Sequence, residues 1–436
     1  MKVSNYNFFF PYEADTSKVI AYNSFTNALA LMEKEKHEVF EAFVQHGVEI
    51  ADDEFIGQLR QGGFLIDDET NELDLLRFRM LQSRYSTKSL GLTIAPTADC
   101  NFRCPYCYEK DVLKPDYMTQ EVEDAIVKMV EGQVKTIASL HVTWYGGEPL
   151  MNMPTVERLS RKFIEICEKH TIHYSASMIS NGYLLTPEIA KLLQELQVSR
   201  IQITLDGTAE IHNKRRPLSS GEGTFDTIVK NIEESYEHLN KVSLRINIDK
   251  TNAGAANHIV ELLKDKNLLD KATPYLGRVI ATDDTYDKGS CFTCGGFSEE
   301  EFAFYKEHES GGDNFMYKYP QAKGNYCGAD ALNVHVVAAD GGLYKCWMDV
   351  GNKQKCWGNL LDQTQANHTH LDYMLYDPTA DTNCTKCNLL PICMGGCPDM
   401  RLENKERCCL YKFALRDFVR VITRQLKDRK IGGVKQ

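Results

Sequence analysis

Three cysteines stand close together in the segment CNFRCPYC, at Cys100, Cys104 and Cys107. The segment directly follows a predicted strand, so the three thiols lie in the loop that leaves that strand. Three thiolates at this spacing can ligate three irons of a [4Fe–4S] cluster and leave the fourth iron open for a small molecule. The alternative is a zinc ion completed by a distant cysteine or histidine. Zinc ligands usually come in pairs of the form C-x2–4-C, so the triple favours an iron–sulfur cluster.

A second set of cysteines occupies the last third of the chain. Its members are Cys327, Cys346, Cys384, Cys387, Cys393, Cys397, Cys408 and Cys409. The chain has 15 cysteines in all, and in the cytosol so many reduced thiols indicate metal or redox chemistry rather than disulfides. One zinc site on Cys384, Cys387, Cys393 and Cys397 would leave the other four cysteines unexplained. The cysteine positions therefore suggest a second metal-binding region, separate from the first.

Charge and hydropathy exclude several other classes of protein. The net charge is −11 and there is no long basic run, so we expect no nucleic-acid partner. The sequence contains neither an N-terminal apolar run of signal-peptide length nor an apolar stretch of about 18 residues, so we expect no membrane partner. The composition predicts a cytoplasmic protein.

Short apolar strands alternate with amphipathic helices from Leu90 onward, which is the pattern of a parallel sheet built from βα units. The predicted strands are Gly91–Ala95, Leu140–Tyr145, His173–Ile179, Arg200–Leu205, Val242–Ile248 and Tyr275–Ala281. Six strands with five intervening helices predict an α/β fold with an open, partial (β/α)6 TIM-like barrel. In such a barrel the chemistry is expected at the carboxyl ends of the strands.

The barrel is predicted to span residues 86–281, between two smaller parts. Residues 1–85 have the pattern of a small α+β domain, with strands at Tyr6–Tyr12 and Lys18–Asn23 and a helix at Ala28–His46. Residues 282–326 are polar and predict a loop-rich linker. Residues 327–436 predict a cysteine-rich domain of short strands and turns that ends in a helix near Leu410–Arg429.

The barrel region resembles the radical S-adenosylmethionine (SAM) superfamily. The family pattern C-x-x-x-C-x-aromatic-C is matched by Cys100, Cys104, Tyr106 and Cys107. The next predicted strand ends in WYGGEPL, and its residues Gly146, Gly147 and Glu148 match the family's GGE segment. Two glycines allow the backbone to approach a ligand closely, and a carboxylate can accept hydrogen bonds from an ammonium group. The resemblance implies a cluster that binds SAM and cleaves it to a 5′-deoxyadenosyl radical.

The resemblance also implies SAM contacts at further strand ends. Beside the GGE segment, the residues concerned are Tyr106, Ser180, Asn181, Asp206 and Arg245. Tyr106 would lie against the adenine, and Arg245 would pair with the SAM carboxylate. Asp206 precedes a glycine and is equally well explained as a turn residue. His212, Arg215 and Arg216 are expected in a solvated loop.

The C-terminal cysteine spacing resembles the SPASM extension of radical SAM enzymes, which holds two auxiliary [4Fe–4S] clusters and would make three clusters in all. The resemblance assigns the outer cluster to Cys384, Cys387, Cys393 and Cys408, and the inner cluster to Cys327, Cys346 and Cys397. Cys408 is preferred to Cys409 because the aromatic Tyr411 follows it by three residues. The fourth inner ligand stays open between Cys291, Cys294, Cys356 and no protein ligand.

SPASM enzymes mostly modify peptides or proteins, so the resemblance implies a polypeptide substrate. The domain at residues 1–85 resembles the winged-helix-like domains that bind the leader of a precursor peptide by strand addition. We expect a maturase of ribosomal peptides (RiPPs) that forms a thioether or carbon–carbon crosslink. An electron donor such as flavodoxin or ferredoxin would be its second partner.

Two other functions are weighed against this one. Sulfatase maturases of the same family carry an aspartate directly after the cysteine of a G-x4-C segment. Here Trp347 stands in that place and Asp349 is the nearest acid, which makes Asp349 the candidate catalytic residue but argues against sulfatase maturation. A non-catalytic iron–sulfur or zinc protein would need neither the GGE segment nor the polar strand end at Ser180 and Asn181.

Overall fold

The computed structural model describes residues 1–281, 286–308, 319–362 and 367–431, with side chains in the last helix up to residue 426. Parts of the predicted linker and of the predicted C-terminal domain therefore lie outside the described residues. The chain divides into two compact units. The smaller contains Met1–Arg84, Thr293–Cys327 and Tyr376–Gln436, and the larger contains Tyr85–Phe292 and Gly328–Leu375. The domain boundaries expected from the sequence stay predictions.

The described secondary structure alternates strands and helices through most of the chain. The strands are β1 Lys2–Val3, β2 Asn7–Pro11, β3 Lys18–Asn23, β4 Leu29–Glu33, β5 Leu65–Ile66, β6 Ser89–Ile94, β7 Ser139–Trp144, β8 His173–Ser180, β9 Val198–Thr204, β10 Val242–Ile248, β11 Ala272–Arg278, β12 Val334–Val337, β13 Gly342–Tyr344 and β14 Gly358–Asn359. The α-helices are α1 Lys34–His46, α2 Asp53–Gln61, α3 Glu72–Arg84, α4 Gln120–Glu131, α5 Met153–His170, α6 Pro187–Glu195, α7 Ala209–Arg215, α8 Phe225–Glu234, α9 Ala256–Asp265, α10 Cys294–Glu307, α11 His368–Leu375, α12 Leu390–Cys393, α13 Pro398–Leu402 and α14 Tyr411–Ile431.

The larger unit is built on one sheet with the strand order β11-β10-β9-β8-β7-β6-β12-β13-β14. Strands β6 to β11 run parallel to their neighbours and are connected through helices, which confirms the predicted α/β fold with a (β/α)6 core. Strand β12 continues the sheet parallel to β6, and β13 and β14 follow antiparallel. Residues 334–359 of the cysteine-rich region thus belong to the sheet of the barrel, a pairing that the sequence pattern did not indicate.

The two faces of this sheet differ in polarity. Leu140, Val142 and Trp144 alternate along β7 and are fully buried. Between them, the hydroxyl of Thr143 hydrogen-bonds that of Ser177 on β8 at 3.1 Å. Because successive side chains of a strand point to opposite faces, one face is apolar and the other carries small polar groups. The polar face is the one that can line a site.

The smaller unit contains a three-stranded antiparallel sheet with the order β2-β3-β4. Here the prediction of a helix over Ala28–His46 is wrong at its start, because Leu29–Glu33 forms β4 and α1 begins only at Lys34. Leu29 and Leu31 pack into one hydrophobic cluster, whereas Met32 packs into another. Successive side chains of this segment pack into two different hydrophobic clusters. Only an extended strand points successive side chains in opposite directions.

The outer face of this sheet shares a core with the C-terminal part of the same unit. Ile20 and Tyr22 of β3 pack in one cluster with Ile392, Leu415 and Val419. The Ser24 hydroxyl also donates a hydrogen bond to the Asn388 carbonyl at 2.6 Å. Residues 1–84 therefore contribute to the hydrophobic core of the smaller unit, together with its C-terminal residues.

Helix α10 lies where the sequence predicted a loop-rich linker. Its N-cap is Thr293, whose hydroxyl accepts a hydrogen bond from the Gly296 backbone N–H. Phe302 packs edge-on against Phe418 of α14, with ring centroids 5.6 Å apart. Tertiary packing against α14 outweighs the low helix propensity of the two glycines in the first turn.

No helix among the described residues is long and apolar enough to cross a membrane.

The Asn23 side chain, which is fully buried, organises the N-terminal sheet. Its amide donates to the Gly63 carbonyl at 3.0 Å, and its oxygen accepts from the backbone of Phe25 and Thr26. Asn23→Ala leaves these groups unpaired, so we expect the opening free energy of the β2–β4 amides to fall by about 2–3 kcal/mol. Hydrogen exchange followed by mass spectrometry measures this, with the exposed Gln45→Ala as a control. Unchanged protection in Asn23→Ala would contradict the role given to this residue.

Candidate functional site

The loop that carries Cys100, Cys104 and Cys107 leaves β6 directly, as predicted, and its ends are tied by main-chain hydrogen bonds. Arg103 N–H donates to the Pro217 carbonyl at 2.9 Å, and Ala98 N–H donates to the Asp116 carbonyl at 2.9 Å. The three thiols are half-buried and form no disulfide. Burial raises the pKa of Cys107 to about 12 and also raises that of Cys100, which the charges of Glu148 and of the other two thiols raise further. The structure therefore brings the three cysteines together.

Gly146 and Gly147, at the end of β7, are required by the close approach of this loop. A side chain at Gly147 would overlap the Asp99 carbonyl, and one at Gly146 would lie 2.7 Å from the Thr97 carbonyl. Gly146 also has a φ of +107°, which strains any residue with a side chain. The Glu148 N–H then donates to the Asp99 carbonyl at 2.8 Å. The two glycines thus allow the segment just before Cys100 to pack directly against the end of β7.

The Glu148 carboxylate connects β7 to the end of β8. It is 1% exposed and accepts hydrogen bonds from the Leu150 N–H, the Ser180 hydroxyl and the Asn181 N–H at 2.7–3.0 Å. The Asn181 amide in turn donates to the Asn101 side chain at 2.7 Å. These contacts show Glu148 as a positioning group for the strand end and the cysteine loop. Direct contact of Glu148, Ser180 or Asn181 with SAM stays a prediction.

Tyr106 and Asp206 meet at the centre of a buried polar network. The Tyr106 hydroxyl donates to Asp206 at 2.5 Å and accepts from Arg216 at 3.0 Å. Arg215 bridges Asp206 at 3.3 Å and Asp249 at 2.8 Å. Asp206 is therefore more than a turn residue, because it holds the loop carrying Tyr106 against the ends of the later strands. Its contact with SAM, like that of Tyr106, stays a prediction.

The expectation of a solvated loop around His212, Arg215 and Arg216 is wrong, since all three side chains are buried. Burial, reinforced by the two arginine charges, holds the pKa of His212 well below its usual range, so the ring is neutral. Its Nδ1 accepts from the Asp206 N–H and its Nε2 lies 3.0 Å from the Thr224 hydroxyl. Thr224 donates in turn to the Arg216 carbonyl at 2.7 Å. This chain of hydrogen bonds fixes the backbone that presents both arginines.

The role of Asp249 and the burial of Arg215 and Arg216 were missed because the sequence shows only single charges beyond strand ends. Asp206 stands two residues after the end of β9 and Asp249 directly follows β10, and a pair of arginines lies between them in the chain. Two acids at the carboxyl edge of a parallel sheet and a nearby arginine pair are a signal for an ion-pair network at that edge.

Arg245 lies on β10, and its Nε donates to the Asn247 side chain at 2.6 Å. A side chain at Gly277 on the neighbouring strand would overlap the guanidinium, so the glycine leaves room for it. Within the described residues the half-buried guanidinium forms no ion pair. A guanidinium without an acidic partner can bind a carboxylate. The contact between Arg245 and the SAM carboxylate stays a prediction.

Asp349, the candidate catalytic residue, is buried and held by its neighbours. It accepts a hydrogen bond from the Tyr373 hydroxyl at 2.9 Å and pairs with Lys355 at 3.0 Å. Trp347 is 43% exposed and stacks on Tyr145 with ring centroids 5.8 Å apart. A paired, buried carboxylate is typical of a structural acid, and the structure offers Trp347 rather than Asp349 to a ligand.

The C-terminal cysteines of the smaller unit line a cavity of about 760 Å³. The thiols that line it are those of Cys384, Cys387, Cys393, Cys408 and Cys409. The Lys412 ammonium lies 3.4 Å from the Cys408 sulfur. Five thiols around one cavity suit the outer auxiliary cluster by their donor chemistry, and both Cys408 and Cys409 are available to it. No group of three or more Cys, His, Asp or Glu side chains in the described ranges is arranged as ligands around one metal ion.

The predicted ligands of the inner cluster are divided between the two units. Cys327 and Cys397 belong to the smaller unit and Cys346 to the larger. Of the candidates for a fourth ligand, Cys356 donates its S–H to the Gly358 carbonyl at 3.0 Å. This ligand set stays a prediction.

Residues 94–263 match the family model of the Radical SAM superfamily. This part of the chain is a radical SAM domain. The matched range contains the cysteine triple, the GGE segment, both arginines of the buried network and Arg245. The resemblance inferred from these motifs is confirmed, and the protein is an enzyme.

Two relatives match most of the chain. A cysteine-type anaerobic sulfatase-maturating enzyme of Clostridium perfringens is 24% identical over 363 residues, which are 74% of this chain and 94% of the relative. The radical SAM cyclopropyl synthase TigE of Paramaledivibacter caminithermalis is 22% identical over 410 residues, which are 84% of this chain and 82% of the relative. Among solved structures, Streptococcus suis SuiB bound to the precursor peptide SuiA has a TM-score of 0.54 and 14% identity, covering 93% of this chain and 97% of that chain. The last likeness shows a shared fold.

Replacing Gly147 by alanine tests the contact between the cysteine loop and β7. Because the new methyl group would overlap the Asp99 carbonyl, the loop must move, and we expect the N-terminal cluster to be lost while other iron is retained. The control is Gly254→Ala in the same unit, where no atom lies within 4 Å of the added carbon. Iron and sulfide analysis with electron paramagnetic resonance distinguishes the two. Equal iron content and spectra in both variants would contradict the proposed constraint.

Proposed function

We propose that the protein is a radical SAM maturase of ribosomally made peptides, which forms a thioether or carbon–carbon crosslink in a precursor. The observation that carries the proposal is that one chain contains both the braced cysteine loop of a radical SAM domain and a small sheet with a free edge. When bound, the cluster and SAM supply a carbon radical that abstracts a hydrogen atom from the peptide. The chain's own groups bind, orient and enclose these partners.

The braced loop carries Cys100, Cys104 and Cys107, which we assign to the SAM-binding cluster. Arg245 is the free cation for the SAM carboxylate, and the Tyr106 ring is fixed by its hydrogen bonds to Asp206 and Arg216. A ring whose hydroxyl has two partners keeps one orientation, so it can serve as a fixed wall for a flat ligand such as adenine.

Among the described residues both β2 and β4 pair only with β3 in this sheet, and we assign leader binding to the outer edge of β4. In the register of this pair, Ala21 faces Ala30 and Asn23 N–H donates to the Ala28 carbonyl. Because hydrogen-bonded pairs alternate in an antiparallel ladder, the N–H groups of Leu29, Leu31 and Glu33 point away from β3. They are the donors to which an extended leader peptide can add as a further strand.

The relatives support a polypeptide substrate without deciding the reaction. SuiB was solved with a precursor peptide, and TigE is named as a cyclopropyl synthase. Sulfatase maturation is the second candidate because the Clostridium perfringens maturase matches along nearly its whole length. The exposed Trp347 in place of the maturase aspartate favours peptide crosslinking instead.

The proposal includes three [4Fe–4S] clusters, an electron donor such as flavodoxin or ferredoxin, and a location in the cytoplasm. The five-thiol cavity supports the outer auxiliary cluster, and the assignment of the inner cluster depends on the cysteine spacing.

The number of auxiliary clusters can be tested by replacing two predicted ligands of the outer cluster. We expect anaerobically reconstituted protein to hold about twelve irons per chain, and the double variant Cys384→Ala/Cys387→Ala to hold about eight. Iron and sulfide analysis measures both values. The buried Cys167→Ala, on α5 and outside every predicted ligand set, is the control and should leave the iron content unchanged. About four irons in the wild type, or zinc in their place, would contradict the auxiliary clusters.

Glu33 allows a test of strand addition that keeps the fold. Its φ of −61° suits proline, and its N–H points to the free edge, so Glu33→Pro removes one outward donor and no bond to β3. We expect the affinity for the leader of a candidate precursor peptide to fall about three- to tenfold. Fluorescence anisotropy with labelled leader measures it.

The matched control is Glu33→Ala, which also removes the ion pair with Lys18 at 3.1 Å but keeps the N–H. Its affinity should stay within about twofold of the wild type, since an exposed ion pair contributes little. Deletion of residues 1–84 is a poorer test because it uncovers the core shared with α14. Equal affinity of the proline and alanine variants would move leader recognition away from this edge.

A further inference from the structure

A second cavity lies beside the cysteine loop, within the larger unit. Its volume is about 270 Å³. It is lined by the segment that follows Cys107, by the ends of β6 and β7 at Ala95 and Gly146, and by the hairpin of β12 and β13. Pockets for drug-sized ligands have roughly 300–1,000 Å³, so this one suits a group the size of one amino-acid side chain.

Glu109 lines this cavity and differs from the other buried acids of the unit. It is 7% exposed, and among the described residues no hydrogen-bond donor or basic side chain contacts its carboxylate. Glu123, Glu148, Asp206, Asp249 and Asp349 are buried acids of the same unit, and each accepts a hydrogen bond from a donor or a basic group. Burial without a partner raises the pKa of the Glu109 carboxyl to about 8, because the charged form is unfavourable there, and a cation from outside the chain would stabilise that charged form.

The remaining charges of the cavity favour a cation. Asp111, Asp116 and Asp340 line it together with Lys114 and Lys353. Lys114 is already paired with Asp116 at 2.7 Å. With Glu109, the walls carry four acids against two lysines, and field lines focused into a low-dielectric cleft attract the opposite charge.

We propose that this cavity binds the primary ammonium or guanidinium group of an organic cation, with Glu109 as its counter-ion. The cation is a lysine or arginine side chain of a peptide or a free alkylamine. Either would be held next to the cysteine loop, at the carboxyl ends of β6 and β7.

The test uses reconstituted holoenzyme saturated with SAM and kept without reductant, so that the SAM site is filled and no cleavage occurs. The probes are n-butylammonium and Nα-acetyl-lysine N-methylamide, and the neutral control probe is the Nε-acetylated form of the latter. Binding is measured by isothermal titration calorimetry. We expect both cations to bind and the neutral form not to bind. Tighter binding of the lysine derivative identifies a peptide side chain as the source, and tighter binding of butylammonium identifies a free amine.

The Glu109→Gln variant keeps the shape of the side chain and removes its charge. We expect its affinity for both cations to fall about 10- to 100-fold, with unchanged iron content. Asp226→Asn, which removes an exposed acid of α8 in the same unit but outside this cavity, is the control and should change affinity less than threefold. Equal affinity in Glu109→Gln and wild type, or no cation binding by the wild type, would overturn the proposal. Loss of iron in Glu109→Gln would make Glu109 a support of the cysteine loop and would overturn it too.

Discussion

The close approach of the cysteine loop to the end of β7 is the constraint on which the site depends. Only glycine fits at Gly146 and Gly147, because the carbonyls of Thr97 and Asp99 occupy the space of a side chain. That contact sets the position of Cys100 relative to the sheet. Glu148 hydrogen-bonds Ser180 and Asn181, and Asn181 hydrogen-bonds Asn101, so the cysteine loop is linked to the ends of β7 and β8. The GGE segment, which was expected to contact SAM, thus also positions the loop that carries the predicted cluster ligands.

A second buried system holds the other side of the site. Asp206 and Asp249 share Arg215, while Arg216 and Asp206 share the Tyr106 hydroxyl. Buried ion pairs contribute little net stability, but breaking one leaves an uncompensated charge. The network therefore fixes geometry more than it stabilises the fold.

Local patterns in the sequence predicted the parts of this structure that local forces decide. The six barrel strands appear because β-rich apolar segments alternate with amphipathic helices, and the cysteine triple follows the first of them. Strand β4 was missed because its side chains alternate between two separate hydrophobic clusters, and these clusters exist only in the folded chain. The same holds for α10, which is stabilised by α14, and for β12, which pairs with β6 from more than 200 residues away. Burial of Arg215 and Arg216 likewise depends on acids from distant strands.

The central claim is that the braced cysteine loop supports reductive cleavage of SAM. Its most direct test is the yield of 5′-deoxyadenosine from SAM and dithionite under anaerobic conditions, measured by liquid chromatography. The wild-type holoenzyme should produce it, and the variant with Cys100, Cys104 and Cys107 replaced by alanine should not, although it keeps its auxiliary iron. Continued 5′-deoxyadenosine production by that variant would contradict the account.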